Sequence, residues 1–293
     1  MKLIKPSVEI IKQEEYDLNH IFKFIELAGR TCYKSEDKIT EDSAKGFVDR
    51  MIKSGHGAML EHGTVYLIFH VKDPSVVGED EYHNQQALFN KLIDKYITNK
   101  YSIVKVNHYY DTVFITTNYR VLVENEWIDD LKYLCKPTTF HARRTTVKFI
   151  CDRGVSHEFV RHRVFSFAQE STRYCNYSKD KFNNELTFII PCWIKDLEEG
   201  NYYAYCEYHH SKNDASKRWF DSCMSAEFVY TNLIEEGWKP QEARTILPNS
   251  LKTKLVMTGF DSDWQNFFKL RCAPNAHPQA KELADMLKDK FNK

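Results

Sequence analysis

Apolar residues recur along this chain with two different periods, and the change of period marks out its elements. Between residues 215 and 236, Trp219, Cys223, Ala226, Tyr230 and Leu233 fall every three or four positions. That spacing lines one stripe of a helix, with Gly237 as its expected stop. Residues 43–53 repeat the pattern, Phe47 and Met51 lying one turn apart and Gly55 following as a C-terminal stop. Residues 278–291 read as a last helix that buries Leu283, Met286 and Leu287, and Pro240 suits the first turn of another that carries Arg244. By contrast, residues 65–71, 113–123, 145–150 and 186–190 are rich in β-branched and aromatic side chains and read as strands. Strands and helices alternate without a regular βαβ cadence. The pattern therefore predicts an α/β fold of the mixed α+β kind rather than a doubly wound sheet.

Composition narrows the class. Hydrophobic residues are 42% of the chain and aromatics 14%, enough to build a packed core and to exclude disorder. Lys plus Arg and Asp plus Glu both number 41, whereas proteins held on nucleic-acid backbones usually carry a basic excess. No nucleic-acid partner is expected, although a local basic pocket is compatible with this balance. No apolar run follows the Met1-Lys2 start, and no stretch reaches the roughly 18 apolar residues of a membrane span. Neither a signal peptide nor a membrane association is expected. The 8 cysteines are scattered without a CxxC pair, which fits reduced thiols and a cytoplasmic location better than disulfides or a zinc site.

The most unusual segment is Arg161, His162 and Arg163, with Gln169, Glu170, Ser171, Thr172 and Arg173 close behind. Ser156 is a candidate N-cap for a short helix ending near Arg161, and Gly154 reads as a turn residue. Successive helical side chains point about 100° apart, so three neighbours serving one site must sit at a helix end or a turn. Two permanent cations and an imidazole suit an extended anion such as a diphosphate or a reduced flavin ring. A solvated basic patch at a helix C-terminus would look the same locally. The hydroxyls, carboxylate and guanidinium of residues 169–173 favour a phosphorylated, hydrogen-bonding ligand instead.

Arg161-His162-Arg163 followed after seven residues by Ser171 resembles the signature of the flavin-dependent thymidylate synthases. GHGAMLEH at residues 55–62 is similar to that family's upstream GHxSxxEH block. NFFKLR at residues 266–271 with His277 beyond is similar to its C-terminal block, and EARTILP at 242–248 to a helix supplying a substrate arginine. The resemblance spans about residues 28–279. Segments 74–112 and 195–217 match nothing in it and read as insertions into one domain covering residues 1–293.

The resemblance implies a central mixed sheet flanked by helices and reductive methylation of dUMP to dTMP. FAD would be the hydride carrier, 5,10-methylenetetrahydrofolate the carbon donor and NADPH the reductant. It implies FAD contacts at His56, Arg161, His162, Arg163, Gln169 and Asn266. It implies dUMP contacts at Glu158, Arg161, Gln169, Glu170, Ser171, Thr172, Arg173, Arg244 and Arg271. Arg271 would activate the uracil ring: a guanidinium stays protonated and cannot be a base, but it can stabilise negative charge at N3 and the adjoining carbonyl. A homotetramer with shared active sites is also implied. Departures from the family pattern are Ala58 for Ser or Thr, Cys32 for Ser, and Phe260 and Ser262 where many relatives carry Asn and Arg. Asp261 or backbone groups are then left to supply part of the flavin contacts.

Other constellations are weaker. His157 and His162 are five residues apart, which diverges on a helix and does not suit one zinc ion. Pro191-Cys192-Trp193 resembles the nucleophile dipeptide of the cysteine-dependent thymidylate synthases, but the expected His is missing and a buried structural thiol fits better. Ser171 has no convincing His-Asp pair for a nucleophilic role, and His209 with His210 reads as an exposed helix turn. An arginine-rich nucleotide- or RNA-binding module, or a flavin enzyme acting on another pyrimidine, are the rival readings.

Overall fold

In the computed structural model, residues 1–13, 15–177, 185–203 and 213–291 are described. Its strands are β1 (Lys2–Ile4), β2 (Ser7–Ile11), β3 (Thr64–His70), β4 (Ile103–Asn107), β5 (Thr112–Asn118), β6 (Arg144–Asp152), β7 (Ser166–Gln169), β8 (Thr187–Ile189), β9 (Gly200–Asn201) and β10 (Lys252–Phe260). Its α-helices are α1 (Leu18–Tyr33), α2 (Ser43–Lys53), α3 (Gly57–Leu60), α4 (Pro74–Val77), α5 (Glu79–Ile97), α6 (Tyr119–Glu124), α7 (Arg153–Phe159), α8 (Asp214–Glu235), α9 (Pro240–Ala243), α10 (Asp261–Arg271) and α11 (Pro278–Phe291).

The mixed α+β class holds, but the strands form three sheets rather than one central mixed sheet. The largest, in the order β2-β6-β10-β7, is wholly antiparallel. A second sheet has the order β3-β5-β4, and a small third one, β8-β1-β9, holds the parallel β1–β8 pair. The division follows from the core. Alternate residues of a strand face opposite sides, so Leu255 and Met257 of β10 pack with Trp264, Phe267, Leu283 and Leu287 of α10 and α11. Val256, between them, joins Ile21 and Ile25 of α1 and the β3–β5 side chains on the opposite face. The segment 74–112 contributes α4, α5 and β4, and its Phe89, Leu92 and Tyr96 are buried in that second cluster.

The helical stripe of α8 is observed, with Cys223 and Tyr230 buried, and Gly237 ends it at φ +95°. α2 covers the expected residues. Five local expectations change. The strand read over 113–123 stops at Asn118, whose side chain accepts from the Val121 amide and starts α6, so the β-branched Val121 and Val123 are helical. α7 is capped by Asp152, not Ser156: the Asp152 carboxylate accepts from the Val155 amide at 2.6 Å, a better match to the helix dipole. Ser156 lies one turn inside, donating to the Arg153 carbonyl at 2.8 Å, and Gly154 belongs to the first turn of α7. Leu283 and Leu287 are buried, but Met286 is 37% exposed, because it falls off the stripe they share. Cys192 is half-buried rather than buried. His209 and His210 lie outside the described residues. Among the described residues no helix is long and apolar enough to cross a membrane.

Candidate active site

The Arg161–Arg163 triplet occupies the tight turn after α7, where the His162 amide bonds the Phe159 carbonyl and the Phe165 amide bonds that of His162. The turn separates the three side chains. His162 is buried against Phe267, while Arg161 and Arg163 are exposed. Arg271, the last residue of α10, donates from Nε to His162 Nε2 at 2.8 Å, from Nη1 to Glu158 Oε2 at 2.9 Å, and from Nη2 to the Glu158 carbonyl. Glu158 Oε1 also faces Arg161 Nη1 at 3.5 Å. Residues 158, 161, 162 and 271 therefore form one knot.

Its electrostatics fix the protonation states. Burial, and then the Arg271 charge, push the His162 pKa down to about 4. The imidazole is neutral at ordinary pH, with Nε2 free to accept. The hydrogen bond from Arg271 holds the Glu158 carboxyl below its usual range. A guanidinium has five N–H donors, and three bonds to Arg271 are made here, so two remain for a ligand.

His162 shares its behaviour with His62, whose pKa burial and the neighbouring Arg144 push down to about 3. The unfolded chain takes up these protons near pH 6.5, and the folded chain does so only below about 4. Both imidazoles thus contribute stability that is full above about pH 6.5 and is lost as pH falls through their folded pKa values. Denaturant midpoints measured from pH 7 to pH 4.5 should fall, and less steeply in His162→Gln. A variant curve as steep as that of the native protein would remove His162 from this account.

A second group surrounds the end of β7. Gln169 donates to Ser156 Oγ at 2.8 Å, tying β7 to α7. Glu170 is fully buried, and its carboxylate accepts from Lys252 Nζ at 2.6 Å and from the Tyr177 hydroxyl at 3.1 Å. Nearby, burial and the Lys252 charge push the Lys34 pKa down to about 8. The Ser171 amide bonds the Cys32 carbonyl at the end of α1, and Ser171 Oγ accepts from the Arg173 amide at 3.3 Å. Thr172 Oγ1 accepts from Arg244 Nη1 at 3.2 Å, Arg244 opening a 3-10 turn directly after α9. Arg173 lies over Tyr174, which touches Tyr33, and the Tyr33 hydroxyl meets His56 Nδ1 at 3.0 Å. His56, Arg173 and Arg244 are all exposed.

Arg163 belongs to neither group. It lines a cavity of about 640 Å³ with Arg144, Lys100, Tyr101, Phe260 and Ser262. Asn266 is exposed on α10 and forms no hydrogen bond with the other candidates among the described residues. Asp261 accepts from the Thr145 hydroxyl at 2.6 Å. Lys252, Tyr177, Tyr33 and Arg144 were not singled out from sequence. The alternation of Lys252 and Lys254 along β10 was the available signal for a cationic face. Burial raises the pKa of Cys192 and favours its thiol form, and the Nε2 atom of His162 accepts from Arg271.

A family profile described as "Thymidylate synthase complementing protein" matches residues 117–293, which take in α7, β7, β10 and α10. Two proteins named flavin-dependent thymidylate synthase are similar over part of the chain. The one from Pyrococcus horikoshii is 31% identical over 134 residues, 46% of this chain and 48% of that protein. The one from Geobacter sulfurreducens is 30% identical over 133 residues, 45% and 49%. The chain thus spans about half the length of the curated relatives it matches. A crystal structure of the UMP/dUMP methylase PolB from Streptomyces cacaoi, bound with 5-Br dUMP, aligns over 99% of this chain and 92% of the other, with 17% identity and a TM-score of 0.42.

Proposed function

The chain belongs to the thymidylate synthase complementing protein family, and from that premise we propose that it is a flavin-dependent thymidylate synthase, converting dUMP to dTMP with FAD, 5,10-methylenetetrahydrofolate and NADPH. The observation that carries this reading is the knot around Arg271, in which a neutral His162 and the Glu158 carboxylate aim a cation that keeps two donors for a ligand. On such a ligand Arg271 stabilises negative charge developing at uracil N3 and its carbonyl, without removing a proton itself. Arg173 and Arg244 form no ion pair among the described residues and suit the dianionic monophosphate. Gln169, Ser171 and Thr172 offer hydrogen bonds beside them. Glu170 is neutralised by Lys252 and orders this segment from below.

The donor set also fits a flavin dinucleotide: Arg161 and Arg163 are exposed cations next to His162, and the cavity beside Arg163 is bordered by aromatic rings. When bound, the flavin supplies the hydride that turns the transferred methylene into methyl. His56 and Asn266 are assigned to the same cofactor. The exposure of Arg161, Arg163, Arg173, Arg244 and Asn266 on a single chain supports a homotetramer in which neighbours complete the sites. Free cysteines among the described residues support a cytoplasmic setting.

Purified protein incubated with FAD is expected to turn yellow, to shift its flavin absorbance when dUMP is added, and to transfer labelled methylene carbon to dUMP but not to dCMP. Protein that remains colourless and gives no heat with dUMP would overturn the proposal.

A further inference from the structure

α7 is the helix from which the proposed site is hung. Its Ser156 Oγ accepts from Gln169 of β7 at 2.8 Å, its Glu158 accepts from Arg271 at 2.9 Å, and the turn after it places His162. The helix has only 7 residues, too few to hold a shape on their own, so its direction depends on what grips its two ends. Arg271 grips the last turn. The first turn is gripped by Asp152, whose Oδ1 accepts from the Val155 amide at 2.6 Å and whose Oδ2 accepts from Gln279 Nε2 at 2.5 Å.

Both partners of that last bond lie inside the protein, Asp152 at 4% exposure and Gln279 at 6%. Asp152 forms no ion pair among the described residues. Burial raises its pKa, while the Val155 and Gln279 amides and the nearby His277 act in the opposite sense. A buried carboxylate needs such donors, because leaving it unpaired costs stability. Among the described residues this is the one hydrogen bond that α11 makes to β6 or α7. The rest of the α7–α11 contact is apolar, through Val155, Phe159, Ala280 and Leu283, and apolar contact is non-directional. Gln279 lies in the first turn of α11, and Lys281 Nζ ties that turn back to the Cys272 carbonyl at the end of α10, at 3.1 Å. The α10–α11 corner therefore meets α7 at two polar points, Arg271 on Glu158 and Gln279 on Asp152. At 1.5 Å of helix rise per residue they stand about 9 Å apart.

We propose that Gln279 is a positioning residue for Arg271: with Asp152 it fixes the α10–α11 corner against α7, so that the guanidinium meets His162 and Glu158 in one direction only. Gln279 is itself buried and acts through Arg271. One polar bond alone would leave the corner free to rock about Glu158, whereas two bonds at opposite ends of α7 remove that motion. A displacement of roughly 1 Å at a reacting group costs up to about a hundredfold in rate. The effect on turnover rests on the function proposed above; the effect on His162 does not.

The test compares the native chain with Gln279→Leu and Gln279→Glu, circular dichroism reporting folding. Leucine fills much of the space but donates nothing. It should lower kcat for dUMP roughly ten- to a hundredfold with little change in KM. The His162 titration, followed by nuclear magnetic resonance, should move up from about 4 as the Arg271 charge draws away. A folded Gln279→Leu with native kcat and a native His162 titration would overturn the proposal. So would a fall in kcat with that titration unchanged, which marks a general loss of stability. If even the native protein does not turn over dUMP, the flavin reading fails and the His162 titration alone decides the positioning. Gln279→Glu reports on the bond itself. Its carboxyl would face that of Asp152, and the two can bond only while they share a proton. The ratio of variant to native kcat should be close to unity at low pH and fall as the pair loses that proton; without turnover, the His162 titration of this variant is read instead. His277, Cys151 and Cys192 lie around Asp152, with Glu282 and Lys195 beside Cys192. The native chain carries all of them, so the ratio cancels their titration. A folded Gln279→Glu whose ratio does not change with pH would overturn the proposal, and this variant decides if Gln279→Leu does not fold.

Discussion

Arg271→Ala is expected to lower dUMP turnover by a factor of about 10² to 10³, the usual cost of removing one preorganised donor from a developing charge. The fold should survive, because Arg271 is the last residue of α10 and its side chain is not part of the apolar cluster. A second readout separates this role from a merely structural one. The Arg271 charge is among the causes that hold the His162 pKa near 4 and the Glu158 pKa low. Removing it should move both upward, which nuclear magnetic resonance titration of His162 would record. Arg271→Lys should rescue little, since one ammonium cannot reproduce a planar group bonding a ring nitrogen, a carboxylate and a carbonyl at once. Native turnover in the alanine variant would remove Arg271 from catalysis.

Trp264→Ala is expected to cost about 3–5 kcal/mol of stability, the largest loss foreseen for one substitution here. The indole is 0% exposed and touches Phe149, Phe165, Phe267, Phe268 and Phe291. Its Nε1–H donates to the Thr145 carbonyl at 3.1 Å, so truncation leaves a void and strips that carbonyl of its donor. Because Trp264 docks α10 on the main sheet, the loss reaches Arg271 two turns further on. Denaturant unfolding of the variant, with dUMP binding measured below its midpoint, tests both halves. A change under about 1 kcal/mol would contradict the packing described.

Elements with a strong single period were legible from sequence. The stripe of α8, the extent of α2 and the strands β3 and β6 follow from side-chain spacing alone. Junctions were not legible, because there a local hydrogen bond outweighs propensity. Asn118 turns a β-branched run into α6 by capping it, and Asp152 displaces Ser156 as the cap of α7. The division into three sheets was equally hidden, since pairing of β10 between β6 and β7 depends on contacts distant in sequence. At the site, residues 161, 162 and 163 would point about 100° apart on a helix, and the turn that holds them separates them likewise. What spacing could not reveal is that His162 is spent on Arg271, or that Lys252 neutralises Glu170 while the Tyr177 hydroxyl donates to it. Those pairings exist only through the folded sheet.

The two sides of the large cavity are encoded by stretches that answer to different demands. One side descends from the turn that also orients Arg271, where a change in backbone would disturb the chemistry. The opposite side hangs from the α5–β4 turn, tied to no member of that knot. Residues around Lys100 can therefore vary and reshape that side of the cavity while the bonds that orient Arg271 stay as they are.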